Sequence, residues 1–472
     1  MFTVRRRGAA RLAVAMVASG LLATGSIAAA GSAIADDATP TAPGATATLG
    51  GLKTAAQAEI KEKGKEPEKV SAGLFEMSVD GGGTIQTYCI DIKNPTQTKA
   101  KYKEVSWDQS SLHDNVDAGK INWILQNSYP QVDDLSALQK TAGIKDGALT
   151  PELAAAGTQV AIWRFSDKAD VTAVDPLAEQ LADWLEGNAK DLKEPAASLT
   201  LDPPAVSGKA GDLLGPIKVN TNASTVQVSP APSNPSGVKV TDKNGTAVTS
   251  AKNGDELYFD VAAGTADGTT SLTATANTKL PVGRAFTGID STTQVQILAG
   301  SSDSSVSATA TGTWAAKGPI PAVSAEVNCA KNGLDVTAAN EGDQPFTFNL
   351  ADKEYTVEAG KSETITVPVA EDQPYKVTIT GPEGFEKTFE GVLDCETAGS
   401  GGDTPSSSPS PASAGGSSEG TADTGSTTGG DLAETGSSSA TPVIAGIAIA
   451  LVVLGGGAVF FLRKKKAAPS AE

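Results

Sequence analysis

Two side chains that can react with each other stand out in this 472-residue sequence, the thiol of Cys89 and the carboxamide of Gln159. A thiol can attack a glutamine side-chain carbonyl and expel ammonia, which leaves an internal thioester that is an electrophile for amines. Gln159 lies within an apolar run without a partner nearby in the sequence, and a buried amide without partners is costly. The alternative is a structural cysteine and a glutamine that bonds to a neighbouring backbone group. These two residues alone leave both possibilities open.

A hairpin and a buried helix are needed to bring the two side chains together. Residues 70–79 and 83–92 flank an Asp-Gly-Gly-Gly turn, which predicts a hairpin that carries Cys89 on its second strand. Thr150 followed by proline predicts the start of a helix over residues 151–165. That helix is apolar on nearly all sides, so we expect it to be buried, with Trp163 covering the site against hydroxide.

The chain resembles the TQXA, or Cys-Gln, thioester domains of Gram-positive and actinobacterial surface adhesins. The resemblance rests on an aromatic-Cys-aliphatic motif at residues 88–90 and a Thr-Gln-x-Ala-aliphatic-Trp motif at residues 158–163, and it covers residues 45–195. It implies that Cys89 supplies the sulfur and Gln159 the carbonyl of a thioester. An amine, expected to be a lysine side chain on an unidentified target, would then displace Cys89 and form an amide with Gln159.

Several neighbours of this pair have more than one interpretation. The hydroxyl of Thr158 can bond at the site or back to its own helix. Tyr88 is expected to pack, and Asp91 is expected at the surface, where a strand ends. His113, the only histidine, lies in a polar loop and is predicted to be solvated, so amines rather than hydroxyls are the expected nucleophiles. A Cys-His-Asn protease or a transglutaminase would need His113 as its base and gives Gln159 no role, so the sequence favours a protein that is not an enzyme.

The N-terminus predicts export. Residues 1–35 combine a basic start, an apolar run and an Ala-x-Ala-like cleavage site, which is typical of a signal peptide. Sec and twin-arginine export both remain open.

The C-terminus resembles a sorting signal for attachment to the cell wall. An LAETG motif at residues 432–436 resembles sortase motifs, in the variant with Ala where Pro is usual. An apolar stretch at 442–462, long enough to span a membrane, and a basic tail at 463–472 follow. Sortase would cut between Thr435 and Gly436 and join the chain to peptidoglycan. A plain membrane protein with one transmembrane helix is the alternative.

Charge and cysteine content exclude some functions and predict one crosslink. The net charge of −18 disfavours nucleic-acid binding, which needs a basic surface. Three cysteines are an odd number for an exported chain. Pairing Cys329 with Cys395 suits an oxidising exterior and leaves Cys89 for the thioester, whereas a free thiol or an intermolecular disulfide at Cys89 is the alternative.

The remaining segments predict a multidomain chain. An α+β thioester domain (45–195) is followed by an all-β sandwich (197–318) and a smaller one (320–396), both predicted to be immunoglobulin-like because short strands alternate with turn residues. Residues 397–431 are rich in Ser, Gly, Thr and Pro and are predicted to form a wall-spanning linker. Spacings typical of metal or phosphate sites are not seen, so no cofactor or metal is expected.

Overall fold

The structure, a computed structural model, describes residues 43–396. The predicted signal peptide, wall linker, sortase motif, membrane span and basic tail lie outside these residues. Within the described part, every helix is too short or too polar to cross a membrane.

The first part of the chain mixes strands and helices, as the sequence predicts. Its elements are β1 (Thr46–Ile60), β2 (Glu68–Val79), β3 (Thr84–Cys89), β4 (Lys101–Val105), α1 (Ala118–Gln126), α2 (Leu135–Thr141), α3 (Pro151–Ser166), β5 (Val171–Ala173) and α4 (Pro176–Asn188). Strands β2 and β3 pair as the predicted hairpin, with Phe75 opposite Thr87 and Ser78 opposite Thr84.

Side-chain caps fix where three of these helices begin. Asp134 accepts a hydrogen bond from Ala137 N at 3.0 Å, and Thr150 accepts one from Leu153 N at 3.3 Å. Asp175 caps α4 in the same way. Each cap satisfies a backbone N–H that the helix leaves without a partner, and the helix start predicted at Thr150 is confirmed.

The next part of the chain is entirely β. Its strands are β6 (Leu199–Asp202), β7 (Ala205–Lys209), β8 (Leu213–Thr221), β9 (Val226–Pro230), β10 (Val238–Thr241), β11 (Ser250–Ala251), β12 (Glu256–Val261), β13 (Gly268–Lys279), β14 (Ala285–Gly288), β15 (Gln296–Ser301) and β16 (Asp303–Ala315). Two sheets, ordered β10-β12-β8-β6 and β11-β9-β13-β16-β7, form a middle body.

Strands β14 and β15 do not join the middle body. They complete a seven-stranded head sheet, ordered β2-β3-β15-β14-β4-β1-β5, in which Gln296 lies opposite Cys89. The expected sandwich over 197–318 is therefore interrupted, and the head is built from two separate stretches of chain. The physical reason is the apolar run at 295–299, which is fully buried and so suits an interior strand rather than a half-exposed stalk strand.

The last described part is a smaller two-sheet body. Its strands are β17 (Pro321–Asn328), β18 (Gly333–Asn340), β19 (Phe346–Leu350), β20 (Lys353–Val357), β21 (Lys361–Pro368), β22 (Pro374–Thr380) and β23 (Glu386–Val392), in the sheet orders β17-β18-β21 and β20-β19-β22-β23. Short 3-10 helices lie at Trp107–Gln109, Cys329–Lys331 and Pro382–Gly384. The small body has its own hydrophobic core, whereas one continuous core runs through the head and the middle body.

A disulfide and a hydrogen bond restrain the small body. A disulfide joins Cys329 to Cys395, which confirms the predicted pairing and leaves Cys89 as a free, buried cysteine. The Thr292 hydroxyl, in the head, donates to the backbone carbonyl of Asp372 at 2.9 Å and so links the small body to the head.

Candidate functional site

The structure brings Cys89 and Gln159 together. Cys89 is the last residue of β3, and Gln159 lies in the middle of α3, which packs on β1, β2 and β3. The Gln159 Oε1 accepts a hydrogen bond from Cys89 N at 3.0 Å, and its Nε2 donates to Cys89 O at 2.8 Å. Both residues have no exposed surface. The amide that lacks a partner in its own segment is thus fully paired with the backbone of the cysteine.

Helix α3 can lie this deep because it carries small residues. A Cβ added to Gly157 would come within 2.5 Å of the Ala178 carbonyl oxygen, so glycine at this position permits α4 to pack closely. The element that packs against Gly157 is α4, through Ala178 and Leu181. The middle of α3 is sealed from solvent.

The environment of the thiol keeps it protonated. Burial raises the pKa of Cys89 well above its ordinary value, and the negative charges of Asp167 and Asp91 raise it further. The Asp91 N–H, which donates to Cys89 Sγ at 3.3 Å, and Trp163 act in the opposite direction but are outweighed. A resting thiolate, which a cysteine hydrolase needs, is therefore disfavoured.

The residues around the pair have structural roles in addition to any chemical one. The Thr158 hydroxyl donates back to Ala154 O at 2.8 Å, so of its two predicted roles the structure shows the bond to its own helix. The Tyr88 hydroxyl donates to Tyr129 O at 2.7 Å, and its ring is fully buried. Trp163 is 4% exposed, and its indole N–H finds no hydrogen-bond acceptor within the described residues.

Asp91 is not the surface residue that its position at a strand end predicts. It has no exposed surface, and one of its carboxylate oxygens accepts a hydrogen bond from the Asn94 side chain. Because its N–H contacts the Cys89 sulfur, Asp91 belongs to the immediate surroundings of the thiol. The expectation of a solvated Asp91 is wrong because β15 and the segment after β3 enclose this strand end.

The sequence gives no sign that Asp167 lies near the thiol. Asp167 follows α3 and accepts hydrogen bonds from Ile92 N at 2.9 Å and Ser166 Oγ at 2.6 Å. Burial raises its pKa to about 6, although both hydrogen bonds oppose that shift. Since its charge also raises the pKa of Cys89, Asp167 links the electrostatics of the site to pH in the mildly acidic range.

His113 lies in the turn before α1, as predicted, but its side chain is only 15% exposed rather than solvated. Its Nδ1 lies 3.3 Å from Ser110 O and 3.9 Å from a carboxylate oxygen of Asp114. These contacts, and the cavity that it lines with Trp107 and Glu194, involve none of the groups around Cys89. The geometry therefore gives His113 no part in activating the thiol.

Comparison with known families agrees with this site. Residues 86–191, which contain Cys89 and Gln159, match the family described as the thioester domain. Residues 321–392, the small body, match the family described as the bacterial phospholipase C, C-terminal domain. No curated protein matches the chain. Residues 86–191 are thus similar to a thioester domain, and this similarity does not extend to the whole chain.

Solved structures also include similar proteins. The Bacillus anthracis TIE protein is 14% identical, with 74% of this chain and 63% of that chain covered and a TM-score of 0.26. The thioester domain of the Enterococcus faecium TIE86 protein is 16% identical, with 58% and 98% covered and a TM-score of 0.27. The corresponding domain of the Staphylococcus aureus TIE protein is 15% identical, with 57% and 98% covered and a TM-score of 0.22. Similarities at these TM-scores and identities support no statement about function. The chain spans less than two thirds of the Bacillus anthracis protein.

Proposed function

We propose that this chain is a surface protein whose head couples covalently to an amine on a target through a thioester between Cys89 and Gln159. The observation that carries the proposal is the side-chain amide of Gln159 held against the backbone of Cys89 by two hydrogen bonds. The match to the thioester domain family, over residues 86–191, covers both residues.

The chemistry is balanced without a cofactor. The Cys89 sulfur attacks Gln159 Cδ, the S–C bond forms, the C–N bond breaks, and the thiol proton leaves with the amide nitrogen as ammonia. A primary amine then attacks the same carbon, the C–N bond of the new amide forms, the C–S bond breaks, and one proton of the amine passes to the Cys89 sulfur. The fold supplies proximity for the first step, because the Gln159 amide is held against the backbone of the residue that carries the thiol.

Burial protects the stored bond. A thioester in water is lost to hydroxide, so it persists only where water is excluded. The buried middle of α3, Trp163 and the interior strand β15 enclose the pair. An incoming amine therefore needs a local opening, and this requirement favours a partner that first docks on the head.

The rest of the chain fits display at the cell surface. The signal peptide, the LAETG motif, the apolar span and the basic tail support export, cleavage by sortase between Thr435 and Gly436, and attachment to peptidoglycan. We further propose that the middle and small bodies act as an immunoglobulin-like stalk, with residues 397–431 crossing the wall. The bond forms once for each molecule, so the chain is not an enzyme, and the target stays unidentified.

The rival function is a non-covalent adhesin or a structural wall protein with an unreactive head. Intact mass and uptake of a fluorescent primary amine by the full chain separate the two. A reactive head is lighter than its sequence by one ammonia, resists alkylation at Cys89 and takes up the amine at Gln159. Cys89→Ala and Gln159→Ala should abolish uptake, whereas Gln180→Ala, at an exposed glutamine on α4, should not. Full sequence mass with a freely alkylated Cys89 would exclude the thioester.

A further inference from the structure

Three carboxylates meet where the small body contacts the head. Glu371 and Asp372 lie in the connection between β21 and β22, and Asp394 follows β23. One oxygen from each of the three lies within 4.8 Å of the others. Oxygens bound to a single Ca²⁺ at about 2.3–2.6 Å are separated by no more than about 5 Å, so this spacing suits three ligands of one ion.

Asp394 has no protein group to satisfy it. It is only 3% exposed, and neither of its carboxylate oxygens has a hydrogen-bond partner among residues 43–396. One buried oxygen of Glu371 and one of Asp372 lack partners in the same way. A buried carboxylate without a compensating group is strongly unfavourable, so an aspartate in this state points to a ligand that the protein atoms do not supply.

The surrounding groups increase the need for a positive charge. In the described part of the chain, Lys and Arg make no ion pair with any of the three carboxylates. The negative charge of Asp91, from the head, also acts on Asp394. Tyr102, whose hydroxyl bonds to Gln294 O at 2.9 Å, is the other titratable head group affected by Asp394. The charge of Asp91 therefore adds to the negative charge that the three carboxylates place around Asp394.

The backbone holds the candidate ligands in place. Glu371 Oε1 accepts hydrogen bonds from Cys395 N at 2.5 Å and Glu396 N at 2.8 Å. The other oxygen, Oε2, is the one that has no protein partner among the described residues. Cys395, next to Asp394, is fixed by its disulfide to Cys329. Asp372 has a positive φ of 57°, and its N–H donates to Leu393 O at 2.9 Å. These restraints hold the three side chains at one point.

We propose that Glu371, Asp372 and Asp394 bind a calcium ion within the small body, at the edge where Thr292 of the head bonds to Asp372 O. All the ligands are hard oxygen donors, without histidine or cysteine among them, which selects Ca²⁺ over Zn²⁺. Several carboxylates from two connections make a protein cage, which suits Ca²⁺ better than Mg²⁺, since Mg²⁺ keeps most of its water. The site does not depend on the thioester.

Calcium titration of the full chain, treated first with a chelator, tests the site. Isothermal titration calorimetry should find one Ca²⁺ per chain at this site, and millimolar calcium should raise the Tm by several degrees. Asp394→Asn and Asp372→Asn should each weaken the binding by about tenfold or more, because the number of ligand charges sets the affinity. Glu354→Gln, at an exposed carboxylate on β20 of the same body, is the matched control and should bind as wild type does.

The sign of the stability change distinguishes a metal site from a merely acidic cluster. Without calcium, Asp394→Asn should have a higher Tm than wild type because it removes a buried charge. With calcium, wild type should have the higher Tm. A wild-type chain that shows no calcium-dependent heat or Tm shift at millimolar calcium would overturn the proposal. The proposal would also be overturned if Asp394→Asn and Asp372→Asn bound calcium as strongly as Glu354→Gln. A Tm shift produced by Zn²⁺ and not by Ca²⁺ would overturn it as well.

Discussion

The side-chain amide of Gln159 is paired with the backbone of Cys89 through both of its polar atoms, at 3.0 Å for Oε1 and 2.8 Å for Nε2. This pairing assigns different roles to the two atoms in the proposed reaction. When sulfur adds to Gln159 Cδ, negative charge develops on Oε1, and the Cys89 N–H is already in place to stabilise it. The Nε2 atom, which leaves as ammonia, is oriented by the Cys89 carbonyl.

A Gln159→Glu variant should keep the shape of the site but lose its chemistry. The variant should take up no amine. Its effect on stability is measured in the Cys89→Ala background, which cannot close the thioester and so keeps Nε2; a carboxylate cannot donate to the carbonyl of residue 89, so we expect a loss of about 1–3 kcal/mol in the free energy of unfolding at neutral pH. The loss should shrink at acid pH, where the protonated carboxyl can donate in place of Nε2. Denaturant unfolding across pH measures this change, with Gln180→Glu as the exposed control. Equal stability of Cys89→Ala and Cys89→Ala/Gln159→Glu at neutral pH would contradict the hydrogen-bonding arrangement.

Asp167 should make the head less stable as the pH rises through the mildly acidic range. Its folded-state pKa of about 6 is above the ordinary value of 3.8, so the folded state binds the proton more tightly than the unfolded state. The contribution of Asp167 is therefore most favourable below 3.8 and is lost as the pH rises towards about 6. Asp167→Asn should flatten this part of the stability profile relative to wild type. An unchanged slope in thermal melts would show that Asp167 is not the titrating group.

Glu104 and Arg284 form a buried ion pair that ties the two stretches of the head together. Arg284 Nε lies 3.0 Å from Glu104 Oε1, which also accepts from Ser198 N at 2.9 Å. Arg284 also pairs with Glu194 and so keeps one carboxylate partner in Glu104→Gln. The variant loses the charge-assisted hydrogen bonds to Glu104 and should lower the free energy of unfolding by about 1–3 kcal/mol. Glu76→Gln, at an exposed position on β2, should change it little. Equal effects of the two variants in denaturant titrations would exclude this role.

The disulfide should matter most for the small body. A closed loop with a sequence separation of 66 residues predicts about 4 kcal/mol of stabilisation on the chain-entropy account. The double variant Cys329→Ser/Cys395→Ser should therefore melt at a lower temperature and, by freeing Asp394, should bind calcium more weakly. Peptide mapping without reduction should join the two cysteines. If both thiols were alkylated in the native secreted protein, the crosslink would not exist there.

The C-terminal sorting signal makes a prediction that is independent of the head. If sortase cleaves between Thr435 and Gly436, a muralytic enzyme should release the displayed protein, whereas detergent alone should not. Thr435→Ala should leave the chain in the membrane or shed from the cell. Detection of a peptide from the apolar span at 442–462 in the displayed protein would rule out this anchor. The thioester proposal would be unaffected, since its basis lies in the head.

Local signals explain which parts of the fold and site could be predicted from the sequence. Helix caps such as Asp134 and Thr150 act within one turn, so the helix starts follow from nearby residues. The Gly-rich turn between β2 and β3 is equally local. The contact between Cys89 and Gln159 came from family resemblance combined with the apolar character of α3, because periodicity alone cannot show which strand a helix covers.

Long-range pairing explains what the sequence could not show. The run that forms β15 reads as a strand, but nothing in its residues indicates that it lies beside Cys89 rather than in the middle body. Because local sequence does not show long-range pairing, it also could not show that Asp91 is buried or that Asp372 lies close to Asp394. These carboxylates follow different strands, and their spacing in the sequence matches no metal motif. The pairing of β22 with β23 inside the small body brings them together, since it places Asp372 N against Leu393 O.

The route by which β15 leaves the head has a mechanical consequence. Strand β15 ends at Ser301, β16 begins at Asp303, and β16 then pairs antiparallel with β13 through twelve residue pairs. If the head is bonded to a target and the chain is held at its C-terminus, tension reaches the head along the axis of an interior strand. Its ladders with β3 and β14 would then be loaded in shear, so that their hydrogen bonds resist together instead of opening one at a time.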